Sequence, residues 1–421
     1  MSKDQENLLR VIGGPNVDHA ELVQLIQFHF GQAHAITPRR VEYHRNGEIA
    51  TALTLVYNKR GTLTSIERGS SLRNEDISEL KQKVNACLVE TTGDIVERVV
   101  VFAAVPSEGY FRYREAFQLL PVPANAPRPN TTVGDHPLLL EFRVRGSADH
   151  MVQVLRRTRK ARELELLCGA LISHFQWSIG SSAGYHWVLE STDALQRPIC
   201  RYLQEFYWLP EDPWPRTELA LVENISPMPV VSAAQYYTSR GITAGQFLTL
   251  PDNFSVLISK FRSLSLADRD KFLRASYWFV HSTRVFTLSQ SASFTALASA
   301  IEALMPEPVR APACSACRRS PGPGPTLLFS AFIEKYAPSP AASAEDRRSL
   351  YDLRSALSHG GKLLHGDHLA WSIALTPGYI DQRKSMTVMW QTVRIALVKW
   401  LEEKGSSIKV NSDRGAAVPH A

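Results

Sequence analysis

Residues 350–360 read Leu-Tyr-Asp-Leu-Arg-Ser-Ala-Leu-Ser-His-Gly. Leu350, Leu353 and Leu357 recur at the spacing that lines one face of a helix. Ser343 and Asp346 form a capping signature at its start, and the pair Gly360-Gly361 supplies a stop of the left-handed kind. Working outward, the chain reads as helical from Ser265 onward. Ser265 and Asp268 cap a helix carrying Phe272, Phe279, Val280 and Phe286. Phe294, Leu297, Ile301 and Leu304 then line a second helix that Pro306 stops. A further helix is predicted over Leu327–Tyr336, and a last one over Ile380–Glu403 with Met386, Met389, Val393, Leu397 and Trp400 as its buried stripe and Gly405 as its end. These segments predict an all-α bundle over residues 265–405. Residues 406–421 lack periodicity and are expected to form a disordered tail.

Upstream the pattern is mixed. Val17–Phe30 carries Leu22, Leu25, Ile26 and Phe28 at helical spacing, and Glu79–Leu88 is similar. Strands are predicted near Glu48–Tyr57, Val99–Val105, Leu138–Val144 and Tyr185–Glu190, the second of these too apolar to face water on both sides. Pro121–Pro129 (PVPANAPRP) reads as a loop, since prolines at that density remove the donors that ladders need. The expected organisation is a mixed α/β segment at 1–95, an α+β domain at 96–260, and the helical bundle.

The chain has 421 residues, 44% hydrophobic and 21% charged, so it has ample material for two or three cores. Its longest strongly apolar run is far short of the ~20 residues that cross a bilayer, and residues 1–10 hold no apolar signal core. Five cysteines in a chain this long do not make a disulfide framework, so a reducing, cytoplasmic setting without membrane contact is expected. A net charge of +6 permits a polyanionic partner without identifying one. Phosphate-loop and dinucleotide glycine patterns are missing, which speaks against nucleotide-driven or dinucleotide enzymes.

LYDLRSALSHG (350–360), preceded by SFTALASAIEAL (293–304), resembles the Apea-like branch of the HEPN domain family, whose signature is an arginine, four residues and a histidine near the end of a bundle helix. RVVVFAAVP (98–106), the proline loop and HPLLLEFRV (136–144) are similar to the regions that precede such domains. The resemblance implies a cytoplasmic, metal-independent ribonuclease of bacterial defence or stress, with no cofactor. RNA is the implied partner, along with a second copy of the chain and a possible regulatory protein. The residue types suit that chemistry. A 2′-hydroxyl nucleophile must lose a proton and the leaving 5′-oxygen must gain one, and histidine exchanges protons near neutral pH. A guanidinium meets the phosphate charge that builds in the transition state. His359 and Arg354 are therefore the candidate catalytic pair, with Ser355 and Tyr351 as supporting hydrogen-bond groups and Glu302 as a residue that orients or simply satisfies Arg354. Five positions along an ideal helix rotate about 140°, so Arg354 and His359 do not share a face, and a cleft between two copies would bring them together more easily.

Several alternatives stand beside this. Arg354 can serve as an ion-pair partner of Glu302 or Asp352, and His359 as a C-terminal residue facing the helix dipole, in a non-catalytic scaffold that dimerises or binds a partner. Cys314 and Cys317 form half of a zinc site, for which His365 and His368 are the only partners in view, or else two free thiols on a loop. Arg156, Arg157, Arg159, Lys160 and Arg162 make the densest basic cluster, a nucleic-acid contact or a solvated helix face.

Overall fold

The computed structural model describes residues 7–13, 17–31, 33–44, 49–90, 93–122, 128–129, 136–176, 187–192, 198–204, 216–238, 247–306, 324–338, 344–368 and 377–405. The first unit packs helix α1 (His19–Phe30) against an antiparallel meander of β1 (Ala35–Thr37), β2 (Arg40–His44), β3 (Thr51–Tyr57) and β4 (Leu63–Arg68), followed by helix α2 (Asn74–Val84). Leu22, Leu25 and Ile26 of α1 meet Leu53 and Leu55 of β3, Ile66 of β4 and Leu80 of α2 in one core. Phe28 stands outside it, 67% exposed, and Phe30 completes the buried stripe instead. The second helix starts at Asn74, ahead of the expected Glu79, and passes into a π-turn at Asn85–Val89.

Five strands follow in chain order: β5 (Asp94–Ala103), β6 (Phe111–Tyr113), β7 (Phe117–Pro121), the two-residue β8 (Arg128–Pro129) and β9 (His136–Arg145). β8 joins a separate small sheet, and the main one runs β10 (Phe175–Gln176)-β5-β9-β7-β6, all antiparallel, with Val99 opposite Leu140. Successive side chains of a strand face opposite ways. Val99, Val101, Leu138, Leu140 and Phe142 therefore join the main core, while Val100, Phe102 and Leu139 pack on the other face against Ala220 and Val222. On that second face Arg98 lies opposite Glu141 and donates to it, and Gln118 Nε2 donates to the same carboxylate at 2.6 Å, so the buried charge is paired.

Helix α3 (His150–Leu171) follows, capped by Asp149, whose carboxylate accepts from the Val152 N–H at 2.9 Å. Short strands β10 (Phe175–Gln176), β11 (Trp187–Thr192), β12 (Pro198–Gln204) and β13 (Val230–Val231), helix α4 (Ala233–Thr238) and β14 (Leu250–Pro251) lead to the bundle. Its helices are α5 (Phe254–Ser263), α6 (Leu266–Val285), α7 (Gln290–Leu304), α8 (Pro325–Tyr336), α9 (Ala344–Ser358), the single turn α10 (His365–His368) and α11 (Pro377–Lys404). Ser265 caps α6 as its sequence predicts, accepting from the Asp268 N–H at 3.1 Å. The stripes of α7 and α11 are buried as expected, but α6 ends at Val285, which leaves Phe286 43% exposed.

Helices fill residues 290–304 and 377–404 with no strand among the described residues after Pro251, so a mixed α/β amino-terminal part precedes a helical carboxy-terminal part. The bundle begins with α5, and one continuous core joins Val99 and Leu140 of the sheet, Leu164 of α3, Phe254 of α5 and Leu397 of α11. Residues 307–323, with Cys314 and Cys317, and the tail 406–421 lie outside the described residues, as does the capping residue Ser343.

Candidate functional site

Helix α9 sets Leu350 and Leu357 into the core and packs against α7 and α8. Its neighbours fix Arg354. The Arg354 Nη2 group lies 2.9 Å from Glu302 Oε1 and 3.0 Å from Oε2 on α7, with both side chains partly exposed. The guanidinium carbon stands 5.7 Å from the centre of the Tyr351 ring, and that ring packs against Phe329 of α8 at 5.2 Å. Arg354 Nε is buried without an acceptor among the described residues. Ser355 is half-buried on the same helix.

The end of α9 closes as a Schellman motif. The Gly361 N–H donates to Ala356 O at 2.9 Å and the Gly360 N–H to Leu357 O at 3.2 Å, with Gly360 at φ +71°, where only glycine sits without steric cost. His359 occupies the cap, its N–H held by Ser355 O at 3.1 Å and its ring exposed. Within one chain, Arg354 turns toward α7 while His359 faces solvent, so the helical offset separates the pair as the spacing predicts.

The segment after His359 is tied back to the bundle. Leu364 is buried and its N–H donates to Ser291 Oγ at 2.8 Å, and the His365 N–H donates to Gln382 Oε1 at 2.7 Å. Asp367 caps α7 from outside: its carboxylate accepts from Gln290 N at 2.7 Å, Ser291 N at 2.9 Å and Ser289 Oγ at 2.9 Å. Ser289 Oγ accepts from Ala292 N and Ser289 O from Ser293 N, so the first four N–H groups of that helix all have partners. Burial pushes the Asp367 carboxyl up, but the hydrogen bonds from Ser291, Gln290 and Ser289 outweigh it and hold the group below the usual aspartate value.

The basic cluster on α3 is largely paired within the chain. Arg156 is buried, and Nε and Nη2 grip the two oxygens of Glu21 at 3.0 and 2.7 Å while Nη1 donates to Gly146 O at 2.7 Å. Arg157 lies 3.6 Å from Glu97, Arg159 3.2 Å from Asp18, and Lys160 2.5 Å from Glu163. Arg162 sits over the Tyr277 ring. Arg156 is buried with all three guanidinium nitrogens already bonded, so it is not presented to a phosphate on the surface. No local signal in the sequence reveals this, because Asp18, Glu21 and Glu97 lie far from the cluster along the chain. Among the described residues no group of histidine, cysteine, aspartate or glutamate side chains is arranged to hold a metal, and His365 and His368 sit on α10. Cys168 is fully buried, which pushes its thiol up and leaves it unreactive.

Two further features escape sequence reasoning. Asp367 acts on residues some 77 positions away. Arg394 of α11 is 3% exposed, donates to Ser173 Oγ just past the end of α3, and is surrounded by Tyr236, Tyr237 and Trp390 with ring centres 4.9 to 5.3 Å away. Aromatic faces and the negative end of the α3 dipole take the place of a carboxylate there. Among the described residues no helix is long and apolar enough to cross a membrane. Comparison with protein-family models, with curated proteins and with solved structures finds no match to the chain.

Proposed function

We propose that the chain is a HEPN-type, metal-independent endoribonuclease of the cytoplasm that works as a homodimer, with His359 moving protons and Arg354 holding phosphate charge. The observation that carries this reading is an exposed imidazole on a closed helix end, five positions after a guanidinium that Glu302 and Tyr351 orient. The ribose 2′-oxygen attacks the adjacent phosphorus and loses its proton to one imidazole. The bond to the 5′-oxygen breaks, and that oxygen takes a proton from a second imidazole. A 2′,3′-cyclic phosphate forms, and no atom from a metal or cofactor enters the balance. The second imidazole is supplied by a second copy of the chain. The exposed side chains of Leu288, Leu363 and Ile380 support such a contact, since Ser289, Asp367, His365 and Gln382 link their three segments at this end of the bundle.

Incubation of the full chain with mixed RNA in excess chelator tests the reading. Cleavage should proceed, leave cyclic phosphate ends, and stop when the cleaved nucleotide is 2′-deoxy. His359→Ala should remove about 100-fold or more of the rate while the fold survives. A requirement for divalent metal, or cleavage past a deoxy position, would refute it. The Glu302–Arg354 pair also favours a second reading, a non-catalytic scaffold in which Arg354 serves the α7–α9 contact. In that case no RNA is cut and Arg354→Ala acts on stability alone.

A further inference from the structure

A cleft of about 460 Å³ opens between the tip of the β6–β7 hairpin, the end of β9, and helices α3 and α5. Its floor is apolar, with Phe117, Leu164, Ile258 and Phe261. Four cations line it: Arg114, Arg143, Lys160 and Arg262. The carboxylates Asp94, Glu115 and Glu163 line it too, but two of these are already engaged. Lys160 holds Glu163 at 2.5 Å, and Arg112 grips both oxygens of Glu115 at 2.8 Å with Arg143 3.5 Å away. Among the described residues, Arg114 and Arg262 have no carboxylate partner. Both guanidinium carbons lie near the ring of Tyr113, 5.5 and 5.9 Å from its centre, and both side chains line the cleft. The Tyr113 hydroxyl bonds Ser259 Oγ at 2.9 Å, one helical turn before Arg262, so the hairpin tip and α5 keep a fixed spacing. Arg143 Nε is buried without an acceptor among the described residues.

The backbone adds an independent sign. Arg114 has φ +50°, a left-handed conformation that glycine or asparagine adopts far more readily in a hairpin loop. An arginine held in such strain marks a side chain kept for what it does there.

We propose that this cleft binds a small nucleotide, with the phosphate between Arg114 and Arg262, the base on the apolar floor, and Asp94 accepting from sugar hydroxyls. Two guanidinium groups lining one cleft match the chemistry of a phosphate, and the volume fits one ligand rather than a strand. The inference uses none of the α9 residues and stands apart from the cleavage reading.

Calorimetric titration of the full chain with AMP, adenosine, inorganic phosphate and an unphosphorylated single-stranded RNA 20-mer tests it. AMP should bind, and adenosine should bind at least about 10-fold more weakly, since charge-assisted hydrogen bonds are lost. Arg262→Ala should weaken AMP by about 10-fold or more. Arg114→Gly should do the same while holding or raising thermal stability, because glycine relieves the positive φ. Absence of AMP binding at millimolar concentration would overturn the proposal. So would competition by the 20-mer for the AMP site, or an Arg114→Gly variant that loses stability and keeps its affinity.

Discussion

Removal of the Asp367 carboxylate offers a direct test of how the segment after His359 is held. In Asp367→Ala the Gln290 and Ser291 N–H groups lose their acceptor at the partly buried start of α7. Loss of such a cap costs about 0.5–2 kcal/mol, and loss of an anion at a helix N-terminus about 0.3–1 kcal/mol more. Because Asp367 is partly open to solvent, screening favours the lower half of each range, for a total of about 1–2 kcal/mol. For a chain of 421 residues that corresponds to a fall of roughly 1–2 °C in Tm. Asp367→Asn keeps one acceptor oxygen and should lose about half as much.

The pH dependence has a definite sign. The folded-state pKa lies below the ordinary value of 3.8, so the carboxylate's contribution is fully present above that value and disappears as pH falls through the folded value. Thermal melts of the parent and both variants should therefore differ by a constant amount at neutral pH and converge below about pH 4. Hydrogen exchange should accelerate in residues 361–368. An Asp367→Ala variant that melts with the parent at pH 7, or a difference that persists undiminished at the lowest pH reached, would refute the reasoning.

Other outcomes follow from the same geometry. Arg156→Ala leaves Glu21 buried and unpaired and should cost about 3–5 kcal/mol by urea denaturation, whereas Arg159→Ala, on an exposed pair, should change stability by less than about 1 kcal/mol. Gly360→Ala meets open space but an unfavourable φ, and calorimetry should register about 1 kcal/mol of destabilisation with no packing defect. Leu363→Arg places a charge on the exposed end of the bundle, and sedimentation should show dimer converted to monomer with melting unchanged; a dimer that persists would exclude this end as the contact.

The helical half was legible because its signals are local. Caps such as Ser265, the stripe Phe294-Leu297-Ile301-Leu304, and Gly360 depend on neighbours a few positions away. Alternation and apolar runs gave β5 and β9 for the same reason, and the 140° offset of Arg354 from His359 is helix geometry alone. What stayed hidden depends on distant partners. The burial of Arg156 follows from Glu21, and the placement of α5 in the bundle follows from its contact with α11. Phe28 and Phe286 fit the helical spacing, but the turn of α1 and the end of α6 leave them exposed. The Arg114–Arg262 juxtaposition joins a hairpin tip to a helix far along the chain, and no spacing rule connects them.

Helix α3 reaches into both halves of the molecule. At about 33 Å it carries Val152 into the core of the first unit, with Arg156 locked to Glu21, and Leu164–Leu171 into the main core, where a Cβ on Gly169 would meet Val280 Cγ2 at 2.8 Å. During synthesis the meander of β1–β4 leaves the ribosome before this helix exists, and Glu21 and the site that Val152 fills stay open until it arrives. The first unit is thus completed by a segment that it shares with the main core.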